Sequence, residues 1–272
     1  MCRWIAYSGE PIFLEELISE PENSLLTQSL HARESKAETN GDGFGFGWYA
    51  HRDEPGHYRD ILPAWNDENL RSLSGQIRSR MFFSHVRAST GTATNRSNCH
   101  PFVQDRWMFM HNGQIGSYAL IRRHLESMIP DELYCKRIGT TDSEALFLAA
   151  CGHGLNEDPF GAVCSTIDDV LDIMEETGAT EPFRFTAAFA DGDDIYAFRY
   201  SSDEFAPTLY HCKENDCLLI VSEPLDNAKH DWHSVPQGHA IIGNGIEGAP
   251  LIKKMHLRPR GEGAAGKQPA IN

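Results

Sequence analysis

The sequence predicts a layered α+β domain in which helices flank two mostly antiparallel sheets. Three observations carry this expectation. Runs with β-type alternation come first, helical periodicity fills the middle, and β-type runs return, unlike the strict β-α alternation of a doubly wound parallel sheet. No Pro/Ser-rich linker, charge block or fixed-period repeat divides the chain, so one domain is expected. Its 272 residues, 40% hydrophobic and 23% charged, can bury a sizeable core.

In chain order, the alternating apolar run Cys2–Tyr7 reads as the first strand and Phe13–Ser19 as a short amphipathic helix. Phe44–Ala50 is an aromatic strand with glycine at alternate positions. Glu68–Ser79 has helical periodicity, and the apolar Met81–Val86 and Trp107–His111 read as strands. Three amphipathic helices follow at Ser117–Met128, Ser143–Cys151 and Phe160–Glu176, the last closed by Gly178 as a left-handed C-cap. Strands return at Phe185–Phe189, Ile195–Tyr200, Leu218–Ser222 and His239–Ile242. The ending "GEGAAGKQPAIN" has little to pack, so the domain is expected over residues 2–258, with 259–272 as a mobile tail.

A net charge of -15 and a pI near 5.2, with no cluster of Lys and Arg, argue against a nucleic-acid partner and for small polar substrates. Glu10, Glu15 and Glu16 interrupt the N-terminal stretch before a signal-peptide core can form, and no run is apolar enough to span a bilayer. A cytoplasmic protein with no membrane partner is expected. Seven cysteines, an odd number without a regular framework, suit reduced thiols.

Cys2 directly follows the initiator methionine. Removal of Met1 would leave a thiol and a free α-amine on one residue, a nucleophile with its own base; the alternative is a buried apolar cysteine. "NGDGFGFGWY" (Asn40–Tyr49) fits neither G-x-G-x-x-G nor a Walker loop, and its alternate glycines allow close approach of either a backbone or a ligand. In "FFSHVRAST", Arg87 at the end of an apolar strand is placed for a carboxylate or for a structural ion pair. In "FMHNGQI", Asn112-Gly113 is first a turn signal, but a side-chain amide beside a backbone N–H also meets the needs of an oxyanion hole. His111 beside it is a candidate base or a hydrogen-bonded strand histidine. "TTDSE" carries a capping-box pattern, Thr141 to Glu144, with Asp142 in the first turn. Cys99-His100 and Cys212/Cys217 lack a matching second pair, so no metal is expected. Glu223 in "VSEPL" either faces the site or is a surface carboxylate.

Cys2, "LHAR" with "NGDGFG", "HVRAST", "MHNG" and "TTDSE", in this order, resemble the class II glutamine amidotransferases, whose mature chains begin with cysteine. The resemblance implies a four-layer αββα sandwich, the N-terminal-nucleophile hydrolase fold, and no cofactor. It implies that Cys2 attacks the γ-carbonyl of glutamine or a γ-glutamyl amide, with its α-amine as base. Asn112 and Gly113 would hold the oxyanion, Arg87 the substrate α-carboxylate and Asp142 its α-ammonium, with Thr90 in the same pocket. "MCRW", "NGDGFGFGWY" and "VSEPL" look like the short, stand-alone members that cut γ-glutamyl bonds, and no ammonia-accepting domain is visible. A hydrolase is the leading expectation. A glutaminase subunit feeding ammonia to a synthase partner is the alternative, and a homo-oligomer is left open.

Overall fold

The computed structural model describes residues 2–34, 39–89, 93–227 and 229–259. Its strands are β1 (Arg3–Phe13), β2 (Phe44–Trp48), β3 (Gly56–Asp60), β4 (Arg78–Val86), β5 (Phe102–Gln104), β6 (Trp107–Ile115), β7 (Phe183–Ala190), β8 (Ile195–Ser201), β9 (Tyr210–Glu214), β10 (Cys217–Val221), β11 (His233–Ser234), β12 (His239–Gly243) and β13 (Leu251–Lys254). The helices are α1 (Glu15–Ile18), α2 (Leu25–Leu30), α3 (Glu68–Ser74), α4 (Tyr118–Ser127), α5 (Asp131–Tyr134), α6 (Asp142–Gly152) and α7 (Pro159–Thr177).

The strands form two antiparallel sheets, ordered β11-β9-β10-β1-β4-β2-β3 and β13-β12-β8-β7-β6-β5. Because side chains alternate along a strand, each central strand feeds two cores. Trp4, Ala6, Met81, Phe83, Met108 and Met110 meet between the sheets. Ile5, Tyr7, Phe44, Phe46 and Phe82 point outward to α1, α2 and α3, and Phe109, Phe185 and Phe189 point outward to α4, α6 and α7. The result is helix, sheet, sheet, helix, the α+β sandwich expected.

The alternate glycines of β2 belong to this packing. A Cβ on Gly47 would lie 2.6 Å from Met108 Sδ and 2.9 Å from Pro101 Cγ, and one on Gly45 would strike the His100 carbonyl. The approaching backbone is therefore the protein's own, the 100–101 segment.

Where expectation and structure differ, the causes are local. The helix expected over Glu68–Ser79 stops at Ser74, and β4 begins at Arg78 because buried Ser79 donates from Oγ to the Tyr49 carbonyl at 2.7 Å. β1 runs on to Phe13, with a register irregularity between Ser8 and Ile12, and so shortens the following helix to Glu15–Ile18. β3, β5, β9, β11, β13, α2 and α5 were not legible in the pattern, being short, and several lie at sheet edges where polar residues are at home. Gly178 does close α7, with φ 71°. The expected tail lies, apart from Pro259, outside the described residues. Among the described residues no helix is long and apolar enough to cross a membrane.

Candidate active site

At one end of the inter-sheet core β1 begins, β4 ends and β6 approaches its turn. Continuing the β1–β4 register by one pair beyond Arg3↔Val86 sets Cys2 opposite Arg87. By strand alternation both side chains then face the inter-sheet space, in line with Trp4 and His85. Asn112, two residues beyond Met110 on β6, faces the same space from the other sheet. The two sheets touch here, since His85 Nε2 lies 3.3 Å from the His111 carbonyl.

Cys2 is half-buried, its Sγ 3.7 Å from the Ala88 carbonyl. Burial pushes the thiol above its ordinary range, offset in part by the Ala88 backbone and by the Arg87 and Arg3 charges. Forming a thiolate there would require a base beside it, and none of the buried histidines His85, His100 and His111 is suited to be one. Burial pushes His85 down to about 3 and His100 well below its usual range. The His111 ring points to the helix layer, with Nδ1 2.9 Å from Ser143 Oγ and Nε2 3.2 Å from the Arg184 carbonyl, and burial lowers it too. His111 is thus a hydrogen-bonded strand histidine.

Asn112 is fully buried, and neither its amide nitrogen nor its amide oxygen has a hydrogen-bond partner among the described residues. Such a group costs about 1–3 kcal/mol. Gly113, at φ 155°, is fixed by sterics, since a Cβ there would collide with the Arg184 carbonyl and lie 2.6 Å from His111 Nε2.

Arg87 is buried, with Nη1 3.3 Å from the Asp42 carbonyl and Nη2 3.4 Å from Ser89 Oγ. Asp42, from the glycine-rich turn, also accepts from Ser89 N at 2.8 Å, so that turn braces the segment after β4. Asp142 opens α6 behind the N-cap Thr141, whose hydroxyl accepts from Glu144 N at 3.2 Å. The capping box is one-sided, because the Glu144 carboxylate accepts from Ile138 N and Gly139 N, at 3.1 and 2.7 Å. Asp142 Oδ2 accepts from Ile115 N and Oδ1 from Ser143 N, both at 2.8 Å, which ties the carboxylate to the end of β6.

Cys2, Arg87 and Asn112 thus share one end of the inter-sheet space, and Asp142 is fixed to the strand that carries Asn112. Thr90 lies outside the described residues. Glu223 faces neither the site nor solvent; it is a buried partner of Arg3, at 3.1 Å on the opposite face of β1, a pairing of "MCRW" with "VSEPL" that only the β1–β10 register could reveal. All seven cysteines are free, and among the described residues no group of three or more His, Cys, Asp or Glu is placed to hold a metal ion. A cavity of about 250 Å³ lined by Ser8, Arg80, Asp194 and Glu247 sits near the far end of β1, roughly 20 Å from Cys2 at strand spacing. Its one hydroxyl, Ser8 Oγ, accepts from Gly245 N at 3.1 Å.

A sequence profile described as "Glutamine amidotransferases class-II" matches residues 22–210. The probable glutamine amidotransferase DUG3 of Saccharomyces cerevisiae is 31% identical, over 99% of this chain and 92% of that protein. A γ-glutamyl-hercynylcysteine sulfoxide hydrolase of Mycolicibacterium smegmatis is 27% identical, over 89% of this chain and 95% of that protein. Among solved structures, a glutamine aminotransferase class-II domain protein of Silicibacter pomeroyi superimposes with a TM-score of 0.75 at 37% identity, covering 95% of this chain and 100% of that one.

Proposed function

The chain belongs to the class II glutamine amidotransferases, and on that premise we propose that it hydrolyses the γ-amide of glutamine or of a γ-glutamyl amide or peptide through a Cys2 thioester. The observation that carries the reading is the buried, unpartnered amide of Asn112, facing the same space as Cys2 and Arg87. A protein keeps such a group where a ligand completes its hydrogen bonds.

After removal of Met1, the Cys2 α-amine takes the thiol proton, directly or through water, and the sulfur attacks the γ-carbonyl. Charge developing on the carbonyl oxygen is met by the Asn112 side-chain amide and the Gly113 N–H. The protonated amine returns its proton to the leaving nitrogen, which departs as ammonia or an amine, leaving glutamyl-Cys2. Water then attacks the thioester, the amine again taking a proton, and glutamate leaves. Arg87 binds the α-carboxylate and Asp142 the α-ammonium, with Thr90 beside them, so the γ-glutamyl group is selected over amides in general.

The test combines intact-mass analysis of the N-terminus with glutamate release from glutamine and a panel of γ-glutamyl amides. Expected are a chain beginning at Cys2, turnover of at least one γ-glutamyl substrate, and none in a folded Cys2→Ala variant. Retained turnover in that variant would refute the mechanism. Likeness to a probable glutamine amidotransferase of yeast favours a second reading, a glutaminase subunit supplying ammonia to a synthase partner. It predicts slow glutamine hydrolysis alone, faster with a partner added, and no preference for a larger leaving group.

A further inference from the structure

Trp4 N donates to Ser222 Oγ at 2.9 Å, and the Trp4 carbonyl accepts from Ser222 N at 3.1 Å. One register step further, Arg3 meets Glu223, Nε to Oε2 3.1 Å, with exposures of 0% and 2%. Arg3 Nη1 also donates to the Cys2 carbonyl at 3.3 Å. Glu223 Oε1 accepts from Asn23 Nδ2 at 3.0 Å and from Arg33 N at 3.2 Å, and Oε2 accepts from Glu34 N at 3.0 Å. One buried carboxylate thus joins the end of β10, the start of β1 and the 31–34 loop.

Stability gives no reason for this pair, since a buried ion pair seldom outperforms a packed apolar one. Its place does. The thiol faces the inter-sheet space, and Arg3 grips the same residue's carbonyl from the opposite face. Resting on the reading of Cys2 as the nucleophile, we propose that Arg3, locked by Glu223, is the positioning residue of that nucleophile: it fixes the Cys2 main chain and turns the positive end of the pair toward it. Among the described residues, the charged and titratable groups around Cys2 are the N-terminal amine, Arg3 at the start of β1, the neutral His85 on β4 and Arg87 just beyond it; the Cys99 thiol, which burial keeps protonated, stands nearby, and Glu223, Glu34 and Tyr210 lie beyond the guanidinium. A cation at the Cys2 carbonyl disfavours protonation of the α-amine and favours the thiolate.

The test uses the full chain with Met1 removed, as wild type, Arg3→Gln, Glu223→Gln and the double variant. Iodoacetamide alkylation of Cys2, read on the N-terminal peptide by mass spectrometry as a function of pH, is measured beside kcat and KM for the best γ-glutamyl substrate. Loss of the cation in Arg3→Gln should move the alkylation midpoint up by about half to one pH unit, and the double variant should move it up by less. Glu223→Gln, which leaves the cation unopposed, should move it down. In every variant kcat falls at least about tenfold while KM stays within about twofold, because Arg87 and Asp142 are untouched. Arg3→Gln and the double variant with unmoved midpoints overturn the proposal, as does a shift of the same sign in all three. Should Glu223→Gln fail to fold around its unpaired arginine, the double variant, which buries no charge, decides alone. Alkylation needs no turnover, so a wild type that alkylates but releases no glutamate refutes the hydrolase reading and leaves this test readable.

Discussion

Replacing Asn112 by leucine should make the protein more stable and nearly inactive. The side chains are close in size, the position is fully buried, and the amide it loses has no partner within the described residues. Removing an unsatisfied buried amide returns about 1–3 kcal/mol. For 272 residues at ~2.1 cal/mol/K each, the unfolding entropy is about 0.57 kcal/mol/K, so the melting temperature should rise by about 2–5 °C. On the proposed mechanism the same change removes one oxyanion donor, and kcat should fall by about 10²–10³ with KM little changed. Differential scanning calorimetry and steady-state glutamate release on one preparation measure both. A variant less stable than wild type would mean that Asn112 has a structural partner, and one within about tenfold of wild-type kcat would mean that it does not touch the oxyanion; either result removes the observation on which the functional reading rests.

Gly113→Ala should lower the melting temperature by more than about 5 °C or prevent folding, since its Cβ would collide with the Arg184 carbonyl on β7; a thermal shift assay on the soluble fraction checks it. Asp142→Asn should raise KM at least about tenfold for glutamine and hardly at all for glutaramate, which lacks the α-ammonium; an equal loss for both would place Asp142 in a purely structural role. Stability should fall on acidification. His85 is held down to about 3 in the fold against an ordinary 6.5, so between those values the unfolded chain binds the extra proton, and stability present above pH 6.5 is lost as pH drops through that window. His85 contributes a slope of up to about 1.4 kcal/mol per pH unit, and the buried His100 and His111 add to it; urea midpoints that stay level from pH 7 to 5 would contradict it.

The sandwich was legible because its central strands are long and apolar, and because Gly178 and Thr141 mark helix ends by their own chemistry. The candidate site was legible as ordered fragments. What a linear reading could not supply was the face each side chain takes. His111 and Asn112 are neighbours in sequence and equally polar, yet strand alternation sends one to Ser143 in the helix layer and the other to the inter-sheet space. The glycines of β2 permit close approach of any group, and only the fold shows that the groups are the His100 carbonyl at Gly45 and the Met108 and Pro101 side chains at Gly47.

Glu223 shows the same limit at longer range. Nothing within "VSEPL" distinguishes a carboxylate facing substrate from one facing water, and the structure has it do neither. Its partner lies 220 positions earlier, immediately after the candidate nucleophile, and the two meet because antiparallel pairing of β1 with β10 sets the start of one strand beside the end of the other. A cysteine at the second position of a chain would fray if nothing held it. Here its strand is paired to β4 on one side and β10 on the other, its carbonyl accepts from Arg3, and Arg3 is ion-paired to a carboxylate that itself accepts three hydrogen bonds. On the proposed reading a terminal nucleophile must be as well fixed as an internal residue, and the buried ion pair adds to the strand pairing a tie on the face of β1 opposite the thiol.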